Sequence, residues 1–195
     1  MTRPLLFLDV DGPLNPYAAK PERRPEGYLT YRMALASEWG SDVYGRRKPL
    51  RVWLRPEHGP ELLSLPYTLV WATTWTAEAN EWIAPVLGLP ELPVVEWPQP
   101  RQAGRVHWKT RRLVEWADGR DFAWVDDEVS DADVAWIGAH HPGRALVHRV
   151  DARLGLREGD FAALAAWAQP AAADAASADA GHLARGHDGK PETAA

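Results

Sequence analysis

Two aspartates near the start of the chain, Asp9 and Asp11, are the first candidates for chemistry. They follow the apolar run 5–8, which is too short for a helix and precedes the turn formers Gly12 and Pro13, so it is typical of a buried parallel strand. Side chains alternate between the faces of a strand, so both carboxylates lie on one side. Acids at the carboxyl end of such a strand stand where open α/β sheets bind their ligands.

The same pattern has a structural alternative, because an Asp at the end of a strand can simply cap a turn. A calcium-binding loop is excluded: counting from Asp9, Gly12 falls at position 4, where no loop glycine is needed, and Lys20 stands where a bidentate Glu is required. A chemical role for Asp9 therefore depends on partners elsewhere in the chain.

Further polar groups follow two later apolar runs or begin a helix: Thr73 and Thr74 after 68–72, Asp126 and Asp127 after 121–125, and Lys109 in the first turn of 107–117. The carboxyl ends of parallel strands share one edge of a sheet, so we expect these groups to converge on the first two aspartates. Lys109 falls within the apolar stripe of its helix, and in the first turn, near the carboxyl ends of the strands, it can reach that edge. The alternative is a lysine that snorkels over apolar surface.

Converging carboxylates require a counter-charge. Two of them ~4 Å apart repel by roughly 4 kcal/mol at an effective dielectric constant of about 20, so a cluster needs a cation or protonation. Oxygen ligands alone favour a hard ion, and Mg²⁺ takes one or two carboxylates together with waters and a phosphate oxygen. The carboxylates expected to converge are those of Asp9, Asp11, Asp126 and Asp127, and a cation among them is the predicted counter-charge.

Strands and helices alternate through most of the chain, which predicts an α/β fold: a Rossmann-like three-layer sandwich with a mostly parallel five-stranded sheet. The predicted strands are 5–8, 68–72, 92–96, 121–125 and 144–150, and the predicted helices are 57–65, 77–87, 107–117, 129–139 and 160–168. Thr76 and Asp160 are the predicted N-caps of the second and last helices.

The chain is expected to form one catalytic domain over 1–169. Within it, the insertion 16–56 holds two short predicted strands, 28–31 and 50–54, that would form a small flap or cap over the end of the first strand. It has nine basic and four acidic residues, a net charge of +5, although such runs are more often solvated faces. The segment 170–195 is rich in Ala and poor in large apolar residues, so it is predicted to be a disordered tail.

The overall composition excludes several kinds of protein. The 195 residues include no Cys, so disulfides, thiolate metal sites and a Cys nucleophile are excluded, and a reducing, cytoplasmic location is expected. The formal charge of −5 argues against stable nucleic-acid binding. Neither a signal peptide nor a membrane span is indicated, so no membrane partner is expected.

The ordered set Asp9-Val10-Asp11-Gly12, Thr73, Lys109 and Asp126-Asp127 resembles the four motifs of the haloacid dehalogenase (HAD) superfamily of phosphohydrolases. The resemblance covers 4–167. Within the superfamily, the runs 71–75 with 79–80 and 124–128 resemble the HAD domain of bacterial "Swiss Army Knife" RNA-repair proteins. No kinase or ligase module of the kind that accompanies those domains is present in the sequence.

The resemblance implies roles for each group. Asp9 would attack phosphorus to form an aspartyl phosphate, and Asp11 would act as general acid and then general base. Thr73, or Thr74 if the strand ends one residue later, would bind the phosphoryl oxygens together with Lys109. Mg²⁺ would be held by Asp9, the main-chain carbonyl of Asp11 and Asp126, with Asp127 as a further ligand or a support.

The sequence thus predicts a Mg²⁺-dependent phosphatase that hydrolyses a phosphomonoester. An acid at Asp11 favours this reaction over the dehalogenase and ATPase branches, which by resemblance lack it. The insertion is too short for a large cap, so the substrate can be a phosphorylated small molecule, a nucleotide or a nucleic-acid end. The alternative function is a catalytically idle HAD-fold module for binding or regulation.

Overall fold

A computed structural model describes residues 2–34, 49–97 and 104–169. Its strands are β1 (Leu5–Leu8), β2 (Leu29–Met33), β3 (Leu50–Leu54), β4 (Thr68–Trp71), β5 (Phe122–Asp126) and β6 (Ala145–Arg149). Its helices are α1 (His58–Ser64), α2 (Ala84–Leu87), α3 (Thr110–Ala117), α4 (Asp131–His140) and α5 (Glu158–Trp167), with a 3₁₀ turn at Pro21–Arg23 and a wide π turn at Ala79–Ile83. No helix in these described ranges is both long and apolar enough to cross a membrane.

The predicted α/β class is confirmed. Four strands form a parallel sheet in the order β4-β1-β5-β6, so β1 lies inside the sheet with a neighbour on each side. Leu8, the last residue of β1, is in register with Trp71 of β4 and Val125 of β5. β1 and β4 therefore end at the same level and β5 one residue later, so the residues at their carboxyl ends emerge side by side.

The sheet is covered on both faces, in an arrangement compatible with a Rossmann-like fold. In β1, Leu6 and Leu8 belong to one core cluster, which also contains side chains of α1, α2 and α5. Leu5 and Phe7 belong to the other, which contains side chains of α3 and α4. All four β1 side chains are fully buried. Because successive side chains of β1 point to opposite faces of the sheet, the core is divided into two layers, one on each face.

The structure corrects the third of the five predicted strands, at 92–96. That segment forms one isolated parallel bridge with the edge of the sheet, between Trp71 and Val94. The Trp71 N–H donates to the Pro93 carbonyl at 2.8 Å and the Val95 N–H donates to the Trp71 carbonyl at 2.9 Å. Pro93 has no N–H to contribute to a longer ladder, which limits the pairing to this point.

Two predicted helix caps are also wrong. Thr76 has a φ of 49°, in the left-handed region, whereas an N-cap residue has extended backbone, and the helical segment begins only at Ala79. Asp160 lies inside the first turn of α5, which begins two residues earlier at Glu158. Its carboxylate still stabilises the start of that helix, since it accepts a hydrogen bond from the Arg157 N–H at 2.8 Å.

The insertion after β1 contains an antiparallel hairpin, β2–β3, as a separate two-stranded sheet. One face of the hairpin is apolar, because Met33, Val52 and Leu54 belong to the main core cluster. Arg32 and Arg51 are directly opposite each other in register, on the other face. The predicted strand at 50–54 is confirmed and the one at 28–31 begins one residue later; residues 35–48 of the insertion and the predicted tail 170–195 lie outside the described residues.

His58, the first residue of α1, makes the fold sensitive to acid. Its side chain is fully buried, and its ring packs edge-on to Tyr28 at 5.6 Å between centroids. Burial, together with the nearby Arg55 charge, lowers the pKa of His58 from 6.5 to about 4. Protonation therefore favours the unfolded chain, and the contribution of this group to stability is complete above pH 6.5 and is lost as the pH falls towards 4.

The expected result is a loss of about 3 kcal/mol in the free energy of unfolding over that acid range, which a His58→Leu variant should not show. Urea titrations at a series of pH values measure it. The exposed His140, changed to Leu, is the matched control and should retain the acid dependence. If wild type and His58→Leu lose the same free energy of unfolding as the pH falls, His58 is not the group responsible for the acid sensitivity.

Candidate active site

Asp9 is the first residue after β1, at the centre of the sheet edge. Its N–H still donates to the Val125 carbonyl at 3.1 Å, so the backbone is held by the neighbouring strand. The carboxylate accepts a hydrogen bond from the Val10 N–H at Oδ1 and another from the Lys109 ammonium at Oδ2, both at 2.8 Å. Only 12% of the side chain is exposed, so this carboxylate has a fixed direction.

Lys109 lies directly before α3 and not inside its first turn as predicted. Its side chain is 3% exposed, and its Nζ lies 2.8 Å from Asp9 Oδ2 and 2.8 Å from Asp126 Oδ2. Asp126 is the last residue of β5 and is fully buried. A single ammonium thus joins carboxylates from two neighbouring strand ends, which excludes the snorkelling alternative.

The acids at this edge carry more negative charge than the lysine offsets. Burial raises the pKa of Asp9 to about 7, with the Asp126 charge adding to the rise and Lys109 opposing it. Burial and Asp126 likewise raise the pKa of Asp127 to about 6. Burial alone would lower the pKa of Lys109, but the two facing carboxylates raise it overall and keep the ammonium charged.

The donor set at this edge fits a divalent cation. Asp9, Asp126 and Asp127 each offer one carboxylate oxygen, and these oxygens all lie within 4.8 Å of one another. Oxygen-only ligands of this charge suit Mg²⁺, which would relieve the repulsion that adds to the effect of burial on the two pKa values. Asp127 is oriented by the Tyr17 hydroxyl, which donates to its Oδ2 at 3.1 Å. The Asp11 side chain is not a member of this set.

Asp11 is instead held by two donors. Asn15 Nδ2 donates to its Oδ1 at 2.7 Å, and Trp75 Nε1 donates to its Oδ2 at 2.9 Å. The Asn15 side chain has a second contact, because its Oδ1 accepts a hydrogen bond from the Trp53 N–H of β3 at 3.0 Å. The direction of the Asp11 carboxylate is therefore fixed by the loop after β1, the loop after β4 and the hairpin together.

A cavity of about 680 Å³ opens above these groups. It is lined by Asp9, Asp11, Asn15, Tyr17, Leu50, Arg51, Thr74, Trp108, Lys109, Asp127 and Glu128. Thr74 is therefore in the wall of the cavity. Thr73 is fully buried, and its hydroxyl accepts a hydrogen bond from the Trp75 N–H at 3.3 Å. Of the two threonines that the sequence left open, Thr74 has the better access to a ligand.

Asp133, a buried residue of α4, fixes the segment that carries Lys109. Its Oδ1 accepts hydrogen bonds from the His107 N–H at 2.6 Å and the Thr110 hydroxyl at 2.5 Å. Its Oδ2 accepts from the N–H and the hydroxyl of Ser130, at 2.9 and 2.7 Å. One carboxylate thus joins the start of α3 to the start of α4, on either side of the lysine's backbone.

The structure brings together Asp9, Asp11, Thr74, Lys109, Asp126 and Asp127, with Thr73 adjacent but enclosed. Sequence reasoning did not identify the groups that orient them, of which Asn15 and Asp133 are the clearest. Asn15 lies four residues after Asp11, within the same turn, and the S-x-x-D pattern from Ser130 to Asp133 signals a helix start. Neither signal indicates the distant contacts, which join Asn15 to the Trp53 N–H and Asp133 to the His107 N–H.

Gly12 has no room for a side chain. It has a φ of 93°, and a Cβ at this position would clash with the Asp127 carboxylate. Gly88 is a matched control, with a φ of 66° and nothing within 4 Å of the position that a Cβ would take. Because both positions carry backbone strain when substituted, we expect Gly12→Ala to lower the free energy of unfolding by about 1–3 kcal/mol more than Gly88→Ala does. Urea denaturation of the two variants measures this difference, and equal losses would show that Asp127 moves aside freely.

Comparison of the chain with protein-family models, curated proteins and solved structures found no match. The chemistry of the site is therefore inferred from its own geometry. A fixed carboxylate, a second oriented acid, a buried ammonium and a metal-binding set of oxygens around one cavity are the groups that phosphoryl transfer uses.

Proposed function

We propose that this protein is a Mg²⁺-dependent phosphatase of the HAD type, which hydrolyses a phosphomonoester through an aspartyl phosphate on Asp9. The observation that carries the proposal is the Lys109 ammonium, 2.8 Å from the Asp9 and Asp126 carboxylates at the floor of an open cavity. A carboxylate nucleophile repels a phosphate dianion unless cations lie beside it, and here the cation and the candidate metal ligands share that carboxylate.

The reaction would proceed in two displacements. In the first, an Asp9 carboxylate oxygen forms a bond to phosphorus while the bond to the leaving oxygen breaks, and Asp11 gives its proton to that oxygen. In the second, Asp11 takes a proton from a water that attacks the aspartyl phosphate, which releases inorganic phosphate and restores Asp9. Such acid–base assistance contributes ~10²–10⁴-fold in rate.

The remaining groups bind and neutralise the phosphoryl group. Lys109 and Thr74 would donate hydrogen bonds to its oxygens, with the enclosed Thr73 as the alternative hydroxyl. The metal would be held by Asp9, Asp126 and Asp127, with the main-chain carbonyl of Asp11. When bound, Mg²⁺ supplies a positive charge that stabilises the transferring phosphoryl group.

The cavity favours a substrate larger than a simple sugar phosphate. Trp108 and Tyr17 give it aromatic walls, and Arg51 of the hairpin adds a second cation at its rim. Aromatic faces beside cations suit a base and its phosphate, so a nucleotide or a nucleic-acid end is the proposed substrate class. The absence of Cys is consistent with action in the cytoplasm.

The direct test is release of phosphate from a chromogenic phosphate ester, with Mg²⁺ and then with excess chelator. We expect turnover that needs the metal, and we expect an Asp11→Asn variant to accumulate the aspartyl phosphate, detectable by mass spectrometry after acid quench. Failure to hydrolyse any member of a broad panel of phosphate esters, with Mg²⁺ present and the protein folded, would refute the proposal and favour the binding or regulatory module.

A further inference from the structure

A second groove lies next to the candidate active site, on the hairpin. Its volume is about 390 Å³, and Arg24, Thr30, Arg51 and Trp53 are among its lining residues. Arg51 also lines the larger cavity above Asp9. The two spaces therefore share one lining residue, which places the groove beside the larger cavity.

The donors of this groove are held in place before any ligand binds. The Arg51 guanidinium lies over the Trp53 ring, 4.1 Å from its centroid, and Trp53 itself is only 3% exposed. Thr30 Oγ1 accepts two hydrogen bonds, from Trp53 Nε1 at 3.0 Å and from Arg24 Nη1 at 2.9 Å. With its oxygen acting as acceptor for both, the Thr30 hydroxyl proton is left to donate elsewhere.

This set of groups suits a phosphate. Two guanidiniums and a hydroxyl proton are all donors, and the planar guanidinium matches a phosphate group with two parallel hydrogen bonds. Glu22 also lines the groove, which leaves it with a formal charge of +1 from these side chains. Arg32 lies directly across the hairpin from Arg51, and two like charges so placed are unfavourable unless an anion binds between or beside them.

Another groove that borders the active site lacks this character. Its volume is about 530 Å³, and it is lined by Asp127, Arg149, Asp151 and Arg153 among others. The Arg153 guanidinium is already bound to the Asp151 carboxylate, with contacts of 3.0 and 2.9 Å. The four side chains have no net formal charge, so a second phosphate has electrostatic reason to bind in the groove on the hairpin and not in this one.

From this arrangement we infer that Arg24, Thr30 and Arg51 form a binding subsite for a second phosphate of the substrate whose terminal phosphate reacts at Asp9. The inference rests on the proposed function and specifies its substrate class: a phosphomonoester with a second phosphate on the same nucleoside or on the next linkage of a chain. A free nucleoside bisphosphate and a 5′-phosphorylated oligonucleotide share this chemistry.

The test compares KM for three substrates: a nucleoside 5′-monophosphate, the corresponding 3′,5′-bisphosphate, and a short 5′-phosphorylated oligonucleotide. We expect the second phosphate to lower KM by about tenfold with kcat little changed, and the advantage to shrink as KCl is raised. An advantage confined to the oligonucleotide would identify a nucleic-acid end, and one confined to the bisphosphate a free nucleotide. Equal KM values for all three would overturn the subsite.

Three single substitutions test which residues bind the second phosphate. Arg51→Gln and Arg24→Gln should each remove most of the KM difference between the bisphosphate and the monophosphate. Arg149→Gln, which removes the same charge from the groove that also contains Asp151 and Arg153, should leave that difference intact. If the KM difference falls equally in all three variants, the effect comes from the overall charge of the protein and not from a subsite at these residues.

A binding measurement separates this inference from the proposed function. Calorimetric titration of the folded Asp9→Asn variant with the nucleoside bisphosphate requires no turnover, because the amide cannot attack phosphorus. Binding that is about tenfold weaker with Arg51→Gln added would support the subsite even if no ester were hydrolysed. Hydrolysis of monophosphates without any such difference in binding would support the phosphatase and refute the subsite.

Discussion

Replacing Asp9 with Asn is expected to lower kcat for phosphomonoester hydrolysis by about 10⁴-fold or more, because the amide cannot attack phosphorus. The fold should survive the change. Burial raises the pKa of the Asp9 carboxyl to about 7, so its charged form gains little from folding, and the Asn side-chain carbonyl can still accept the hydrogen bond from Lys109. Steady-state kinetics and a urea titration on the same preparation measure the two effects.

Asp131→Asn is the matched control for Asp9→Asn. It makes the same chemical change at an exposed position in the first turn of α4, and Asp131 is not among the residues that line the cavity. We expect its kcat to stay within about twofold of wild type. Substantial turnover by Asp9→Asn, with no aspartyl phosphate in the Asp11→Asn variant, would mean that water attacks phosphorus directly and that Asp9 has another role.

Replacing Lys109 with Met should damage both stability and activity. Removal of the ammonium leaves the Asp9 and Asp126 carboxylates buried without their shared partner, which is expected to lower the free energy of unfolding by about 3–5 kcal/mol. Loss of a phosphate-binding cation should also lower kcat by ~10²–10³-fold. Urea denaturation in the presence of chelator measures the first effect, and phosphate release in Mg²⁺ the second.

A second substitution tests whether the two unpaired carboxylates cause the loss of stability in Lys109→Met. Asp126→Asn in the Lys109→Met background removes one of the two unpaired charges, so it should restore part of the lost stability while kcat stays low. Mg²⁺ should stabilise Lys109→Met more than wild type, since it would supply the missing positive charge. If Lys109→Met unfolds at the wild-type urea concentration, the ion cluster contributes nothing to folding.

The strands of the sheet could be located from sequence because each is a short run of large apolar residues with a turn former or an acid behind it. Helix 129–139 was likewise found within two residues of α4. The errors lie where the backbone of a single residue departs from what the surrounding pattern predicts. The run 92–96 has strand-like residues, but Pro93 limits it to one bridge, and Thr76 adopts a left-handed backbone that propensity does not favour in a β-branched residue.

The acids and the lysine of the site could be predicted because parallel strands bring their carboxyl ends to one edge. The residues that orient them could not. Asp133 contacts the His107 N–H across 26 positions of sequence, and the Asn15 side-chain carbonyl contacts the Trp53 N–H across 38. Neither residue type is distinctive at its position, so only the folded arrangement of the helices and the hairpin identifies those contacts.

If Asp11 is the proton donor that we propose, the two hydrogen bonds of Asn15 link substrate selection to proton delivery. Its amide nitrogen aims Asp11, and its carbonyl oxygen is anchored to the backbone of β3, the strand that also carries Arg51. A sequence change that shifts this strand to admit a different leaving group would therefore also turn the acid that protonates it. In such a site, substitutions that change specificity would also change turnover. A hairpin grafted from another protein would have to keep the Trp53 N–H within hydrogen-bonding distance of the Asn15 side chain.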